Sequence, residues 1–111
     1  MENNSWLSQV KRGLLELCIL NLLDNEAMYG YQLVKHLTLI PGFVTTEGTI
    51  YPLLSRLKQE GLVVITFEES PYGPVRKKYQ LSEEGKVKRK EINRMWKEVS
   101  NSVDTIAKLK K

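Results

Sequence analysis

The hydrophobic pattern changes its period at residue 62, and this change restricts the fold more than any other feature. Before residue 62, apolar residues recur at helical spacing in three segments, which predicts three amphipathic helices. Residues 62–67 and 75–81 are instead rich in β-branched and aromatic residues, and the turn-rich stretch ESPYGP (residues 69–74) separates them, which predicts a β-hairpin. From Ser82, a helix-capping residue, the helical spacing returns and continues into the C-terminal region.

The helices have recognisable ends. The first is predicted over residues 5–23, and the second from Gly30 to the breaking pair Pro41-Gly42. The third is predicted from the N-capping pair Thr45-Thr46 to Gly61, a residue type common just past a helix C-terminus.

Gly48 and Pro52 lie inside the third helix although both disfavour helix interiors. The helix nevertheless keeps an unbroken apolar face, formed by Ile50, Leu53, Leu54 and Leu57. We therefore expect it to continue through Pro52. Its opposite face is small, polar and aromatic, which suits the floor of a DNA major groove but is also what any exposed helix face can carry.

Three helices, a two-stranded ribbon and a long final helix form the order of a winged helix-turn-helix protein. The predicted fold class is therefore α+β, mainly α, with the ribbon as the wing. An α+β domain with an unrelated hairpin is the alternative. We expect residues 1–81 to form the winged domain and residues 82–111 a C-terminal helix, together making one compact unit.

Positive charge is concentrated in the second half of the chain. Residues 1–61 contain five Lys/Arg and six Asp/Glu, whereas residues 62–111 contain twelve and seven, within a total formal charge of +4. This asymmetry favours an anionic partner, although a lysine-rich helix can also simply be solvated.

Two stretches give the chain a family resemblance. GTIYPLLSRLKQEGLV (residues 48–63), preceded by YGYQL (residues 29–33), resembles the PadR family of bacterial transcriptional regulators. GPVRKKYQLSEEG (residues 73–85) is similar to that family's wing motif, GRPRKYYxLTxxG. The short single C-terminal helix resembles the compact subfamily.

The resemblance implies a dimeric repressor that binds double-stranded DNA and is released by a small phenolic or drug-like effector. It places the recognition helix at residues 45–56, the helix 2 tyrosines near the DNA backbone, and the wing cations on phosphates or in the minor groove. The implied DNA-binding residues are Tyr29, Tyr31, Thr45, Thr46, Gly48, Thr49, Tyr51, Pro52, Ser55, Arg56, Arg76, Lys77 and Lys78.

The wing departs from the family pattern. Pro74 and Val75 stand where the family has Arg and Pro, which removes one cation, and Lys78 replaces a Tyr. Glu68 and Glu69 lie near the wing, where we expect them to repel phosphate.

The final helix carries an apolar stripe at heptad spacing, which predicts pairing with a second copy of the chain with help from the first helix. The stripe could also pack on its own domain. The predicted dimerisation residues are Leu7, Val10, Leu14, Ile92, Trp96, Val99, Val103 and Ile106. An effector pocket at this interface would use Trp6, Met95 and Trp96.

Catalysis is not expected. His36 is the only histidine and Cys18 the only cysteine, and neither has a metal ligand or catalytic partner at suitable spacing. We therefore expect no enzyme activity, no metal and no cofactor. A single cysteine favours the reducing cytoplasm, and the apolar run at residues 13–23 is too short for a membrane span. A winged helix that binds only proteins is the alternative function.

Overall fold

A computed structural model describes residues 5–40 and 45–109. Its elements follow the predicted order, with one additional short strand. They are α1 (Ser5–Asn25), β1 (Met28–Tyr29), α2 (Gly30–Thr38), α3 (Glu47–Gln59), β2 (Val63–Ser70), β3 (Gly73–Leu81) and α4 (Glu83–Ala107). The protein is therefore mainly helical with a small antiparallel sheet, as the sequence predicts.

The sheet has three strands in the order β1-β3-β2. Strand β1 was not predicted; it pairs Met28 with Tyr79 and Tyr29 with Lys78. The hairpin loop is also shorter than the predicted ESPYGP loop, because β2 continues to Ser70 and β3 begins at Gly73. A register irregularity between Glu68 and Ser70 lets the ladder continue through these turn-prone residues.

The core lies between the helices and the inner face of the sheet. Its fully buried members include Leu20 of α1, Leu33 of α2 and Leu54 of α3. Side chains alternate between the two faces of a strand, so the sequence predicts Tyr79 and Leu81 on one face of β3 and Gln80 on the other. In the structure Tyr79 and Leu81 are buried while Gln80 is exposed, which confirms the alternation at this end of β3.

Helix α1 buries a different face from the one that contains Leu7, Val10 and Leu14. The residues that α1 contributes to the core cluster are Leu15, Ile19, Leu20 and Leu23. Leu7 is exposed, and Val10 and Leu14 are half-buried. The helix is apolar on more than one side, so periodicity alone did not identify its core face.

Helix α3 is continuous through Pro52, as predicted. Thr46 occupies the N-cap position with an extended backbone, but its hydroxyl makes no capping hydrogen bond. Its carbonyl accepts hydrogen bonds from the N–H groups of Thr49 and Ile50, both at 3.1 Å. Gly61 ends the helix with φ of +78°, a left-handed conformation that glycine adopts without steric cost. The predicted end of α2 at Pro41-Gly42 lies outside the described residues.

The first half of α4 is attached to the domain, and its second half projects from it. Ser82 caps the helix by accepting a 2.9 Å hydrogen bond from the Gly85 N–H, and Asn93 exchanges side-chain hydrogen bonds with Asn21 of α1. From Arg94 to Leu109 only Ser100 is not exposed. The radius of gyration of 16.4 Å exceeds the ~13 Å typical of a compact domain of about this length because of this projection.

Candidate nucleic-acid interface

The outer face of α3 is free of the core. Ile50, Leu54 and Leu57 are fully buried on the inner face, and Leu53 is half-buried. Of the implied recognition residues, Thr45 is half-buried and the others are exposed, namely Thr46, Gly48, Thr49, Tyr51, Pro52, Ser55 and Arg56. The helix therefore presents these groups to a partner without losing its packing.

Packing against the described residues does not require a glycine at position 48. Among those residues, a Cβ added there would meet only the Thr46 hydroxyl oxygen, at an ordinary distance of 3.6 Å. The absence of a side chain at Gly48 therefore leaves space on the outer face of α3, next to the threonines.

Gly30 has no side chain, and this allows the Tyr51 ring to pack closely against α2. A Cβ added at Gly30 would lie 2.4 Å from a ring carbon of Tyr51, so the Tyr51 ring packs against the first turn of α2. Burial raises the pKa of Tyr51, and the negative charge of Glu47 raises it further. The Tyr51 phenol therefore stays neutral at physiological pH and can both donate and accept a hydrogen bond.

All five tyrosines of the chain line one groove, of about 760 Å³, between the helices and the wing. They come from β1, α2, α3, the turn of the hairpin and β3: Tyr29, Tyr31, Tyr51, Tyr72 and Tyr79. Arg76 and Lys77 of β3 line the same groove, which therefore combines aromatic walls with positive charge. The pKa of Tyr79 is raised, mainly by burial and further by the negative charge that Tyr51 carries when it ionises.

Tyr29 is the centre of a cluster on the wing side of this groove. Its ring stacks on Tyr31 with 5.8 Å between centroids and 7° between planes. Lys78 Nζ lies 5.1 Å from the Tyr29 ring centroid, and the Arg76 guanidinium carbon lies 5.5 Å from it. Both cations are within the range of cation–π attraction, so Tyr29 fixes their positions as well as that of Tyr31.

Glu68 belongs to the same cluster. Its carboxylate accepts a hydrogen bond from the Tyr29 hydroxyl and lies 3.7 Å from Lys78 Nζ. The Tyr29 hydrogen bond is the main cause of a lowered pKa at Glu68; burial opposes it, and the charges of Lys78 and Arg76 add to it. The sequence indicated only repulsion of phosphate here. The contacts join residues of β1, β2 and β3, which are separate segments of the chain, so the spacing of residues gave no signal for them.

Arg56 is held by two carboxylates. Its guanidinium lies 2.9 Å from a Glu16 carboxylate oxygen and 3.0 Å from one of Glu60. The hydrogen bond that the Arg56 guanidinium donates to Glu16 is the main cause of a raised pKa at Arg56. These contacts attach α3 to α1 and direct part of the Arg56 charge away from the outer face.

A second cleft, of about 760 Å³, separates α1 from the start of α3. Lys11 and Arg12 of α1 line it together with three threonines, Thr45, Thr46 and Thr49. The sequence assigned this part of α1 to dimerisation alone, because nothing in the spacing indicated that α1 crosses beside the first turn of α3.

The predicted dimerisation residues of α4 form a stripe with one end on the domain. Ile92 is half-buried against the core, whereas Trp96, Val99, Val103 and Ile106 are 43%, 55%, 59% and 67% exposed. Met95, at 41%, and Trp6, at 71%, are exposed as well. Within the described chain, therefore, most of this apolar surface is uncovered.

His36 is exposed on α2, and no cluster of three or more His, Cys, Asp or Glu residues in the described parts of the chain could hold a metal ion. Among the helices of the described residues, none has the length and hydrophobicity needed to cross a bilayer.

Three helices, a β-ribbon packed beside the third helix, and an exposed polar face on that helix define a winged helix-turn-helix protein. The family model described as the transcriptional regulator PadR-like family matches residues 19–91. The chain therefore belongs to the PadR-like family of transcriptional regulators, whose members are DNA-binding proteins.

Solved structures agree with this assignment. The chain is 35% identical to a PadR-like transcriptional regulator from Bacillus cereus, covering 92% of this chain and 99% of that one, with a TM-score of 0.81. It is 29% identical to a PadR-family regulator from Eggerthella lenta, covering 96% and 93%, with a TM-score of 0.86. A Streptococcus transcriptional regulator is 36% identical, covering 89% and 97%, with a TM-score of 0.78.

Proposed function

We propose that the protein is a dimeric repressor that binds a pseudo-palindromic operator through α3 and the wing. The observation that carries this proposal is the groove between α3 and the wing, in which tyrosine hydroxyls and two cations converge beside the outer face of α3. Hydroxyls and aromatic edges suit contacts to bases, and cations at the rim suit phosphates.

In this proposal the DNA contacts fall into two classes. The outer face of α3 enters the major groove, where Thr46, Thr49, Tyr51 and Ser55 contact base edges. The phosphates are contacted from outside that groove by Tyr31 and by the wing cations Arg76, Lys77 and Lys78. Thr45, Gly48, Pro52 and Arg56 border the recognition surface, and Arg12 of α1 joins it through the second cleft.

The exposed stripe of α4 supports a dimer. An uncovered apolar stripe on a projecting helix costs free energy unless another surface covers it, and a second copy offers the same stripe. Residues 82–111 would then act as the dimerisation helix beside the winged domain of residues 1–81. A two-fold dimer places two recognition helices about 34 Å apart, one turn of DNA.

An effector would bind where two α4 helices meet. Trp6, Met95 and Trp96 are exposed in the single chain, and the dimer would bring copies of them together. Flat indole rings and flexible methionine side chains suit small aromatic ligands. Such a ligand would release DNA by changing the distance between the two recognition helices.

The DNA-binding proposal is tested with two duplexes, one recovered by in vitro selection from random sequence and one of the same composition but scrambled. Tyr51→Ala should weaken binding to the selected duplex far more than to the scrambled one. Lys77→Ala should weaken both and reduce the slope of log K against log salt by about one. Lys97→Ala, on α4 outside the groove, serves as the control with the same loss of charge and should change neither.

Equal losses on both duplexes for Tyr51→Ala would refute its role in reading bases. If the wild-type protein binds neither duplex at low salt, the fold serves protein–protein interaction instead, and the repressor proposal is wrong.

The dimer is tested by light scattering coupled to size exclusion. Val103→Asp should convert the dimer to a monomer, because it places a charge in the apolar stripe. Asn101→Asp, which adds the same charge two residues away on the other side of α4, should remain dimeric. A monomeric wild-type protein, or a Val103→Asp variant that stays dimeric, would contradict the proposed interface.

A further inference from the structure

Glu68 is an acidic side chain in the middle of a surface that the proposed function assigns to DNA phosphate. One carboxylate oxygen accepts the Tyr29 hydroxyl hydrogen bond, and the other lies 3.7 Å from Lys78 Nζ. The Arg76 guanidinium lies over the same tyrosine ring. A phenol hydroxyl, an ammonium and a guanidinium are the donors that proteins use for phosphate oxygens, so Glu68 occupies an anion-binding site made by its own chain.

We propose that Glu68 is an intramolecular substitute for a DNA phosphate and limits the affinity of the protein for DNA of any sequence. This inference rests on the proposed function, because it requires that the wing contacts DNA. In the free protein, Glu68 holds Tyr29 and Lys78 in their places. On DNA, a phosphate displaces the carboxylate and takes over the same donors.

The geometry suits such an exchange. The side chains of Glu68 and Lys78 are 41% and 32% exposed, so water and DNA can reach both. Ion pairs this exposed are weak, which keeps the displacement of the carboxylate by phosphate inexpensive. The free energy needed to displace the Glu68 carboxylate is the same for every DNA sequence, because the phosphate contacts that replace it involve no base.

The expected effect is on overall affinity for DNA and not on the choice between sequences. Scrambled DNA is bound mainly through phosphate contacts, whereas a selected site adds base contacts from α3. A penalty on one phosphate contact lowers both affinities by the same factor, so Glu68 limits how tightly the protein is held on DNA of either kind.

Glu69 provides a matched control. It follows Glu68 directly in β2, carries the same charge and is exposed. A general repulsion between the acidic strand and DNA would act through both residues, whereas displacement from the Tyr29 and Lys78 donors acts through Glu68 alone.

The test measures binding of the full chain to the scrambled duplex at several salt concentrations. Glu68→Gln should bind it about three- to tenfold more tightly than the wild type, because the phosphate then reaches Lys78 without displacing a carboxylate. Glu69→Gln should change the affinity by less than about twofold, since its charge is screened by the solvent. The Gln side chain keeps an acceptor for the Tyr29 hydroxyl, and Glu68→Ala should shift the affinity in the same direction.

A double-mutant cycle then identifies the partner. In a Lys78→Gln background, the change in log Kd that Glu68→Gln causes should be less than half of the change it causes in the wild type. The reason is that the ammonium group with which the carboxylate pairs is gone. Equal gains from Glu68→Gln and Glu69→Gln would overturn the inference in favour of general repulsion. Weaker binding by Glu68→Gln, or additive effects with Lys78→Gln, would also overturn it.

Different results would contradict the repressor proposal and the inference about Glu68. If the wild type binds no duplex, the repressor proposal and this inference are both wrong. If the wild type binds the selected duplex tightly while Glu68→Gln and Glu69→Gln behave alike, only this inference is wrong.

Discussion

Gly30→Ala tests whether the position of Tyr51 determines DNA recognition. The added methyl group would lie 2.4 Å from a ring carbon of Tyr51, whereas ordinary carbon contacts are about 3.5–4 Å. The clashing atoms are all at the far end of the Tyr51 side chain, so the ring can rotate away while the backbone stays in place. The substitution therefore removes Tyr51 from the groove without altering the chemistry of Tyr51 itself.

The effect on folding should be small. Moving Tyr51 out of its preferred rotamer costs about 0.5–1.5 kcal/mol. Replacing glycine by alanine in a helix contributes up to about 1 kcal/mol in the opposite direction, and less at the first position of α2. We expect the free energy of unfolding to change by no more than about 1 kcal/mol, a shift of a few degrees in Tm.

The effect on DNA binding should be much larger. A lost base contact costs about 1–3 kcal/mol of discrimination, so binding to the selected duplex should fall about five- to 150-fold while binding to the scrambled duplex changes little. Fluorescence anisotropy on both duplexes and urea unfolding monitored by circular dichroism measure the two effects. In a Tyr51→Ala background, Gly30→Ala should have almost no further effect on binding.

Gly13→Ala is the matched control, because a Cβ at Gly13 meets no atom within 4 Å in the described parts of the chain. It should stabilise α1 by up to about 1 kcal/mol and leave DNA binding unchanged. Full specific binding by Gly30→Ala would show that the position of Tyr51 does not determine DNA recognition. A loss of several kcal/mol of stability would show that the backbone, and not the Tyr51 ring, has moved.

Three further predictions concern stability. Ser82→Ala should lower the free energy of unfolding by about 0.5–2 kcal/mol, because its hydroxyl caps α4 and donates to the Gly61 carbonyl; an unchanged urea midpoint would contradict this. Leu54→Ala should cost about 2–5 kcal/mol in urea unfolding, since the side chain is fully buried in the core, and a loss below 1 kcal/mol would show that α3 packs differently. The pKa of Glu68 is lowered in the folded protein, so its contribution to stability is present above its ordinary pKa of about 4.5 and is lost as the pH falls through the lower folded value. The difference in free energy of unfolding between the wild type and Glu68→Gln should therefore shrink in acid. A constant difference down to about pH 2 would contradict this.

The features that were predictable from the sequence are those set by local chemistry. Ser82 and Gly61 were recognised at helix ends because a hydroxyl cap and a left-handed glycine act within a few residues. The buried positions of Tyr79 and Leu81 followed from the alternation along β3. Helix α3 could be predicted through Pro52 because its apolar face is unbroken.

The features that were missed depend on contacts between distant residues. Strand β1 has only two residues, too few to show a period, and exists because Met28 and Tyr29 pair with β3. The contact of Gly30 with Tyr51 and that of Glu68 with Tyr29 each join elements that are far apart in the chain. Local spacing indicates neither contact, so the supporting structure of the candidate site became visible only in three dimensions.

Binding of the wild-type protein to DNA decides whether it recognises a specific sequence. The measurement is the dissociation constant for the selected duplex and for the scrambled duplex, across a range of salt concentrations. A sequence-specific repressor should bind the selected duplex at least about a thousandfold more tightly than the scrambled one at physiological salt, and its affinity should fall steeply as salt rises. Equal affinity for both DNAs, or no binding at low salt, would contradict it.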